Sequence, residues 1–294
     1  AGGSTVAVNK VVTAGATGSV IFFTGGLTDV ITIASGANIS AGNAVVDGTT
    51  GTANGVINLG ANITALNDTG AFTLGQGIDL ASSINLTGAV SMKAAGTTGP
   101  IALASVNGNQ NLTLESTGGI TLSNVGQATA LNTVTVTNSA GVSVTGNFNG
   151  SVVLTDTTGA VSFTGDNTTI SKLTTALKGY SVNFGNSSTD TTVLSGAPVF
   201  LNTGGVSFQG TTSLITGATI TGNVTSTVTL ANTIVSGGAF NIGAAANTGV
   251  VTIADGTQLI LNSTVASTIA NPIAISGATG TLGLLGTGTL TLSA

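Results

Sequence analysis

Val161-Ser162-Phe163, Val182-Asn183-Phe184 and Val206-Ser207-Phe208 are one apolar–polar–aromatic triplet met three times, at steps of 21 and 24 residues. Apolar residues at alternate positions carry the period of a β-strand, whose side chains point to opposite faces in turn. The pattern extends toward the N-terminus as Val142-Ser143-Val144, Ile120-Thr121-Leu122 and Ile101-Ala102-Leu103. Toward the C-terminus it continues as Val228-Thr229-Leu230, Val251-Thr252-Ile253 and Ile273-Ala274-Ile275. Gly, Asn, Asp or Thr flank most of these runs, and such residues form turns.

The whole row begins at Val6, Ile31, Ile57 and Ile78, and its steps lie between 19 and 26 residues. A second row, Phe72, Val90, Leu112, Val134 and Val152, runs out of phase with the first. A repeat of about 22 residues holding two or three short strands is one coil of a solenoid. The expected fold is therefore all-β: a parallel β-helix (β-solenoid) of about 13 coils with a repeat of about 22 residues, one domain over 1–294. Stacked β-sandwich domains are the alternative, but they supply no reason for the longer period. Helical periodicity is weak. Its nearest approach is Ile170 to Tyr180, where Leu173, Ala176 and Leu177 sit at i, i+3, i+4; this is read as a loop or one helical turn.

In a stack of coils about 4.8 Å apart, each residue meets its counterpart above and below. The first and third positions of each triplet face inward, so Phe163, Phe184 and Phe208 form an interior column. The middle positions (Thr121, Ser143, Ser162, Asn183, Ser207, Thr229, Thr252) face outward. Like charges placed opposite one another repel, whereas Thr and Ser pairs hydrogen-bond. This accounts for a charged fraction of 4%, against roughly 25% in ordinary globular domains. The surviving acids fit as well: Asp47-Gly48, Asp156-Thr157-Thr158-Gly159, Asp166-Asn167 and Asp255-Gly256 are turn sequences.

Composition removes several functions. The chain has no Cys, His, Trp or Arg, which excludes Ser-His and Cys-His nucleophiles and most zinc, haem and iron–sulfur sites. A net charge of −5 with four scattered lysines gives no footprint for nucleic acid or anionic lipid. A hydrophobic content of 41% and a mean hydropathy of +0.54 argue against disorder. The longest purely apolar stretch, Val20 to Phe23, is too short to span a bilayer as a helix. The alternating runs lack the length and aromatic girdles of a membrane barrel. The first residues carry no signal peptide, so the chain is read as a mature product or an internal piece of a longer surface protein.

The ending Gly286-Thr-Gly-Thr-Leu-Thr-Leu-Ser-Ala294 resembles the Gly-x-Gly-Thr-Leu-Thr-Leu-Ser-Gly repeat of bacterial autotransporter passenger domains. The Gly-, Asn- and Thr-rich Val-x-Val-x-Gly texture elsewhere is similar to those passengers, to filamentous-haemagglutinin-like exoproteins and to large rickettsial surface antigens. Only the last nine residues match a motif, and the Asn-Thr-Tyr-Thr-Gly continuation is missing. The resemblance implies a right-handed parallel β-helix displayed on, or released from, a bacterial surface. It names no binding residue.

Each candidate site has a plainer reading. Asp156 with Asp166, or Asp68 with Asp79, could form the carboxylate pair of a glycosidase, but no Arg, His or Trp is present to support a sugar; turn-capping aspartates are preferred. The Gly-Gly-x-Gly-x-Asp signature of calcium-binding solenoids is absent, and so is Asp-x-Asp. Thr133, Thr135 and Thr137, Thr227 and Thr229, and Thr289 and Thr291 could order ice-like water, but neighbouring coils mix Ser, Asn, Gly and Gln there. Sequons at Asn38, Asn62, Asn85, Asn111, Asn167, Asn223 and Asn262 arise readily in so Asn- and Thr-rich a chain, and no glycan is assigned. No catalytic, cofactor-binding or metal residue is assigned, and no cofactor. The expected function is a non-enzymatic extracellular structural or adhesive solenoid at a bacterial cell surface, forming a fibre, layer or stalk. It would self-associate into a filament or sheet and could meet a host or neighbouring-cell surface. A carbohydrate-active β-helix enzyme and an ice-binding solenoid are the alternatives.

Overall fold

The computed structural model describes residues 4–15, 18–22, 29–41, 44–47, 56–68, 77–96, 99–220, 228–243 and 249–292. They form an all-β structure without helix, in which parallel coils about 22 residues apart stack through about 11 turns of a β-solenoid. Chain contacts divide it into two compact units, Ala1–Thr145 and Gly146–Ala294.

In the first unit three columns of parallel strands run from coil to coil. One stacks Val6, Ile31, Ile57, Ile84, Val106 and Val125. A second stacks Val12, Ile39, Ile63, Met92, Leu114 and Val136. The third stacks Val20, Val45, Ile78, Ile101, Ile120 and Val142. Most of these side chains are wholly buried, which is why the Val, Ile and Leu recur: β-branched residues suit a pleated strand packed on its like.

The row read from the sequence crosses columns here. Ile57 stacks on Ile84, not on Ile78, and Ile78 belongs to a different face, beside Val45. The early coils are longer, with 25, 26 and 27 residues separating Val6, Ile31, Ile57 and Ile84. A repeat of about 22 therefore landed on the wrong face, because period-two alternation looks the same on every face. That step counts one coil twice; the structure makes about 11 turns where about 13 coils were expected. In the second row Val90, Leu112 and Val134 do stack, Val152 pairs with Leu173, and Phe72 lies outside the described residues.

The second unit keeps the expected register. Val161, Val182, Val206, Val228, Val251 and Ile273 form one column. Phe163 and Phe184 stack at 5.3 Å and 10°, and Phe184 and Phe208 at 5.1 Å and 7°. Phe148 and Phe200, from other faces, meet this column edge-on, the alternative geometry that ring quadrupoles favour. The segment at Ile170–Tyr180 differs from expectation. Asn167–Thr174 is a strand whose register shifts between Gly150 and Val152 of its neighbour. This bulge turns Ser171 and Lys172 both outward while Ile170 and Leu173 stay inside, and so mimics helical i, i+3 spacing.

The second unit also holds a polar interior column that the triplets do not announce. Thr168, Thr192, Thr212 and Thr233 stack on successive coils, all buried, between Phe148 on one side and Leu259 on the other. Their sequence signal is the recurring Asn/Thr-Thr-x-apolar of Asn167–Ile170, Thr191–Leu194, Thr211–Leu214 and Asn232–Val235.

This register makes a direct prediction. Phe184, buried between two stacked rings, should cost about 3–5 kcal/mol when changed to Ala. Ser162→Ala, on the outward ladder, should cost well under about 1 kcal/mol. Denaturant unfolding of the two variants measures both; equal losses would overturn the register.

Candidate functional site

Outside the core, the polar residues of one coil bind the next. Asn85 Nδ2 donates to Asn58 Oδ1 at 3.2 Å, and Asn132 Nδ2 to Asn111 Oδ1 at 2.7 Å. Asn38, Asn62, Asn107, Asn147 and Asn241 each accept, through Oδ1, a backbone N–H of the following coil. The outward column Ser162, Asn183, Ser207, Thr229, Thr252 and Ala274 runs in register, with Asn183 Nδ2 donating to Ser162 Oγ at 3.4 Å.

The acids sit at corners and work in the same way. Asp29 Oδ1 accepts the Ser4 N–H at 2.8 Å, 25 residues away. Asp255 Oδ1 accepts the Thr279 N–H at 2.9 Å and the Thr279 hydroxyl at 3.4 Å. The backbone bond from Thr279 is the main cause holding the Asp255 carboxyl below its usual range; the small desolvation at this exposed site opposes it. Asp190, absent from the sequence reading, is buried, and its Oδ2 closes a tight loop by accepting the N–H groups of Asn186 at 2.7 Å and Ser187 at 3.0 Å. Its signal was only the polar run Asn186–Asp190 after a glycine.

The structure describes the side chains of three of the four carboxylates named for a pair. Asp156 is ion-paired with Lys178 at 2.9 Å on the surface. Asp166 is exposed, and its backbone carbonyl accepts the Thr191 N–H. Asp79 is half-buried on the outer face next to Ala102, and the side chains of Asp68 and Asp47 lie outside the described residues. Among the described residues no three His, Cys, Asp or Glu come together as a metal site would need. The threonine rows run into mixed columns: Thr135 stacks on Thr113 and then Ser91, and Thr291 on Thr268, Asn241 and Thr219. Thr227 and Asn223 lie outside the described residues. Of the sequon asparagines named from the sequence, Asn38, Asn62, Asn85, Asn111, Asn167 and Asn262 are exposed.

Exposure changes at the last described coil of the second unit. Ile253, Leu259, Leu261 and Ile269 are buried, yet Ile275, Leu282, Leu284 and Leu292, stacked on them in the same columns, are exposed. Leu285 beside them is 71% exposed. The strands Ile273–Ile275, Gly280–Leu284 and Leu290–Leu292 pair in parallel with Val251–Ile253, Thr257–Leu261 and Ser267–Ile269. In the first unit, Thr5–Val8 pairs in parallel with Val30–Ile33, and Val6 is exposed. Comparison with known families, curated proteins and solved structures finds no match.

The ionisable groups predict a pH profile. Asp255 has a depressed folded-state value, so its contribution is present above the ordinary carboxyl range and is lost as pH falls through and below about 4. Tyr180 is buried, which pushes its phenol above 10 in spite of the bond it accepts from the Ala176 N–H. Its contribution is present below 10 and is lost as pH rises beyond that. With no His to titrate, the melting midpoint should be flat from about pH 5 to 9 and fall outside it. A shift of more than about 10 °C inside that window would contradict this assignment.

Proposed function

We propose that this chain is a non-enzymatic extracellular structural or adhesive protein. It is a stiff β-solenoid forming a surface fibre, layer or stalk on a bacterial cell and associating with further copies of itself. The observation that carries this reading is the parallel stacking of coil on coil, with the neutral outward ladder of Ser162, Asn183, Ser207, Thr229 and Thr252 in register. Parallel strand edges template further strand pairing wherever no cap, proline or charge blocks them. A contact of one edge on a different edge is heterologous, and where its rotation does not close a ring it propagates as a filament. Neutral ladders also oppose lateral contact little.

The surface placement rests on the likeness of Gly286–Ala294 to the passenger repeat of autotransporters. Within the fold that segment is an ordinary coil strand, Leu290–Leu292 stacked on Ser267–Ile269. The role asked of the fold is mechanical: backbone ladders and like-on-like columns keep the solenoid stiff, and its faces supply area for adhesion to a host or neighbouring cell.

Sedimentation of the 294-residue chain at micromolar concentration tests the association. We expect species well above 28.0 kDa, and a return toward monomer in the double variant Leu284→Lys/Leu292→Lys, which charges two exposed leucines. A stable, monodisperse 28.0 kDa species of the unaltered chain would overturn the proposal.

A further inference from the structure

Two asparagines lie inside the second unit rather than on its surface. Asn202, only 1% exposed, donates through Nδ2 to the carbonyls of Tyr180 at 3.1 Å and Gly205 at 2.8 Å. Asn271, 6% exposed, donates through Nδ2 to the Gly249 carbonyl at 2.7 Å. These bonds fix which end of each amide is nitrogen. In both residues the remaining oxygen, Oδ1, is buried and has no hydrogen-bond partner in the protein. Both border the same narrow interior space, walled by Val206, Ile220, Val228, Ile242 and Val251, which leaves about 10 Å³ for the centre of a water molecule.

A buried acceptor without a donor is rare, because its desolvation is not offset. Native interiors resolve such cases with ordered water where the space is polar and admits about one probe sphere. Here the size and the polarity both meet that condition. A cation is the other group that an amide oxygen could hold, but no carboxylate lines the space, and the Gly205 and Gly249 carbonyls already accept from the amides. A bare positive charge would therefore be buried without compensation. The two oxygens also differ. Asn271 Oδ1 sits over the Cα of Gly243, where any Cβ would collide with it, and so has a weak C–H donor. Asn202 is the deeper of the two.

We propose that one ordered water is a built-in ligand of the second unit, donating a hydrogen bond to Asn202 Oδ1. It completes a polar tie between neighbouring coils: Asn202 holds the Tyr180 carbonyl 22 residues back and the water satisfies the opposite end of the same amide. The site belongs to the interior and does not depend on association of the chain.

High-resolution crystallography of the unaltered chain should show a water about 2.7–3.0 Å from Asn202 Oδ1. An empty space there would overturn the proposal. Thermal melting of Val228→Ile gives an independent readout in solution. If the space holds water, the added methyl displaces it and strands Asn202 Oδ1, and the midpoint drops by a few degrees. If the space is a dry void, filling it raises the midpoint. A raised midpoint would therefore also refute the water.

Discussion

The parallel backbone ladder between successive coils is the constraint on which the rest depends. Once residue i of one coil pairs with its counterpart about 22 residues on, every side chain has its like as a neighbour about 4.8 Å away. Inside, that rule selects residues that stack on themselves: Ile on Ile at 31 and 57, Val on Val at 182 and 206, Phe on Phe at 184 and 208. Outside, it selects residues that hydrogen-bond to themselves, such as Asn58 with Asn85, and rejects charges that would repel themselves. The low charge, the missing His and Arg, and the abundance of Asn and Thr are thus one fact with one cause.

The exceptions follow the same logic. Charged groups survive where opposite signs meet on adjacent coils, as Lys93 meets Glu115 at 2.7 Å on paired strands, or at corners where a carboxylate caps N–H groups, as Asp190 and Asp255 do. Surface ion pairs of this kind contribute little to stability, so the acids serve local geometry. The interior polar residues are costlier. Thr168 and Thr212 bury hydroxyls without partners, and such groups are retained in other folds where they pin a register. A four-rung threonine column flanked by Phe148 and Leu259 distinguishes coils that would otherwise look alike.

Much of this was legible in the residues, and the failures have physical reasons. From Ile78 onward the triplets align to the correct partners because coil length there stays near 22. Before Ile78 the coils lengthen, and alternation carries no label for the face, so Ile57 was joined to Ile78 instead of Ile84. A bulge at Ser171–Lys172 imitated a helical turn. The threonine column and Asn202 were invisible to a reading that sought apolar residues inside and polar ones outside. The acidic candidates Asp156 and Asp166 both lie on the surface, Asp156 paired with Lys178.

In-register stacking of like on like is the central claim, and charge placed on the outward column tests it most directly. Asn183 and Ser207 are partners on adjacent coils, whereas Ser162 and Ser207 are two coils apart. A double-mutant cycle for Asn183→Asp with Ser207→Asp, measured by denaturant unfolding at low salt, should give a repulsive coupling of about 0.5–1 kcal/mol. It should shrink at 1 M salt, where screening is nearly complete beyond about 3 Å, and Ser162→Asp with Ser207→Asp should be close to additive. Equal coupling in the two cycles, or none in the adjacent pair, would contradict the stacked register.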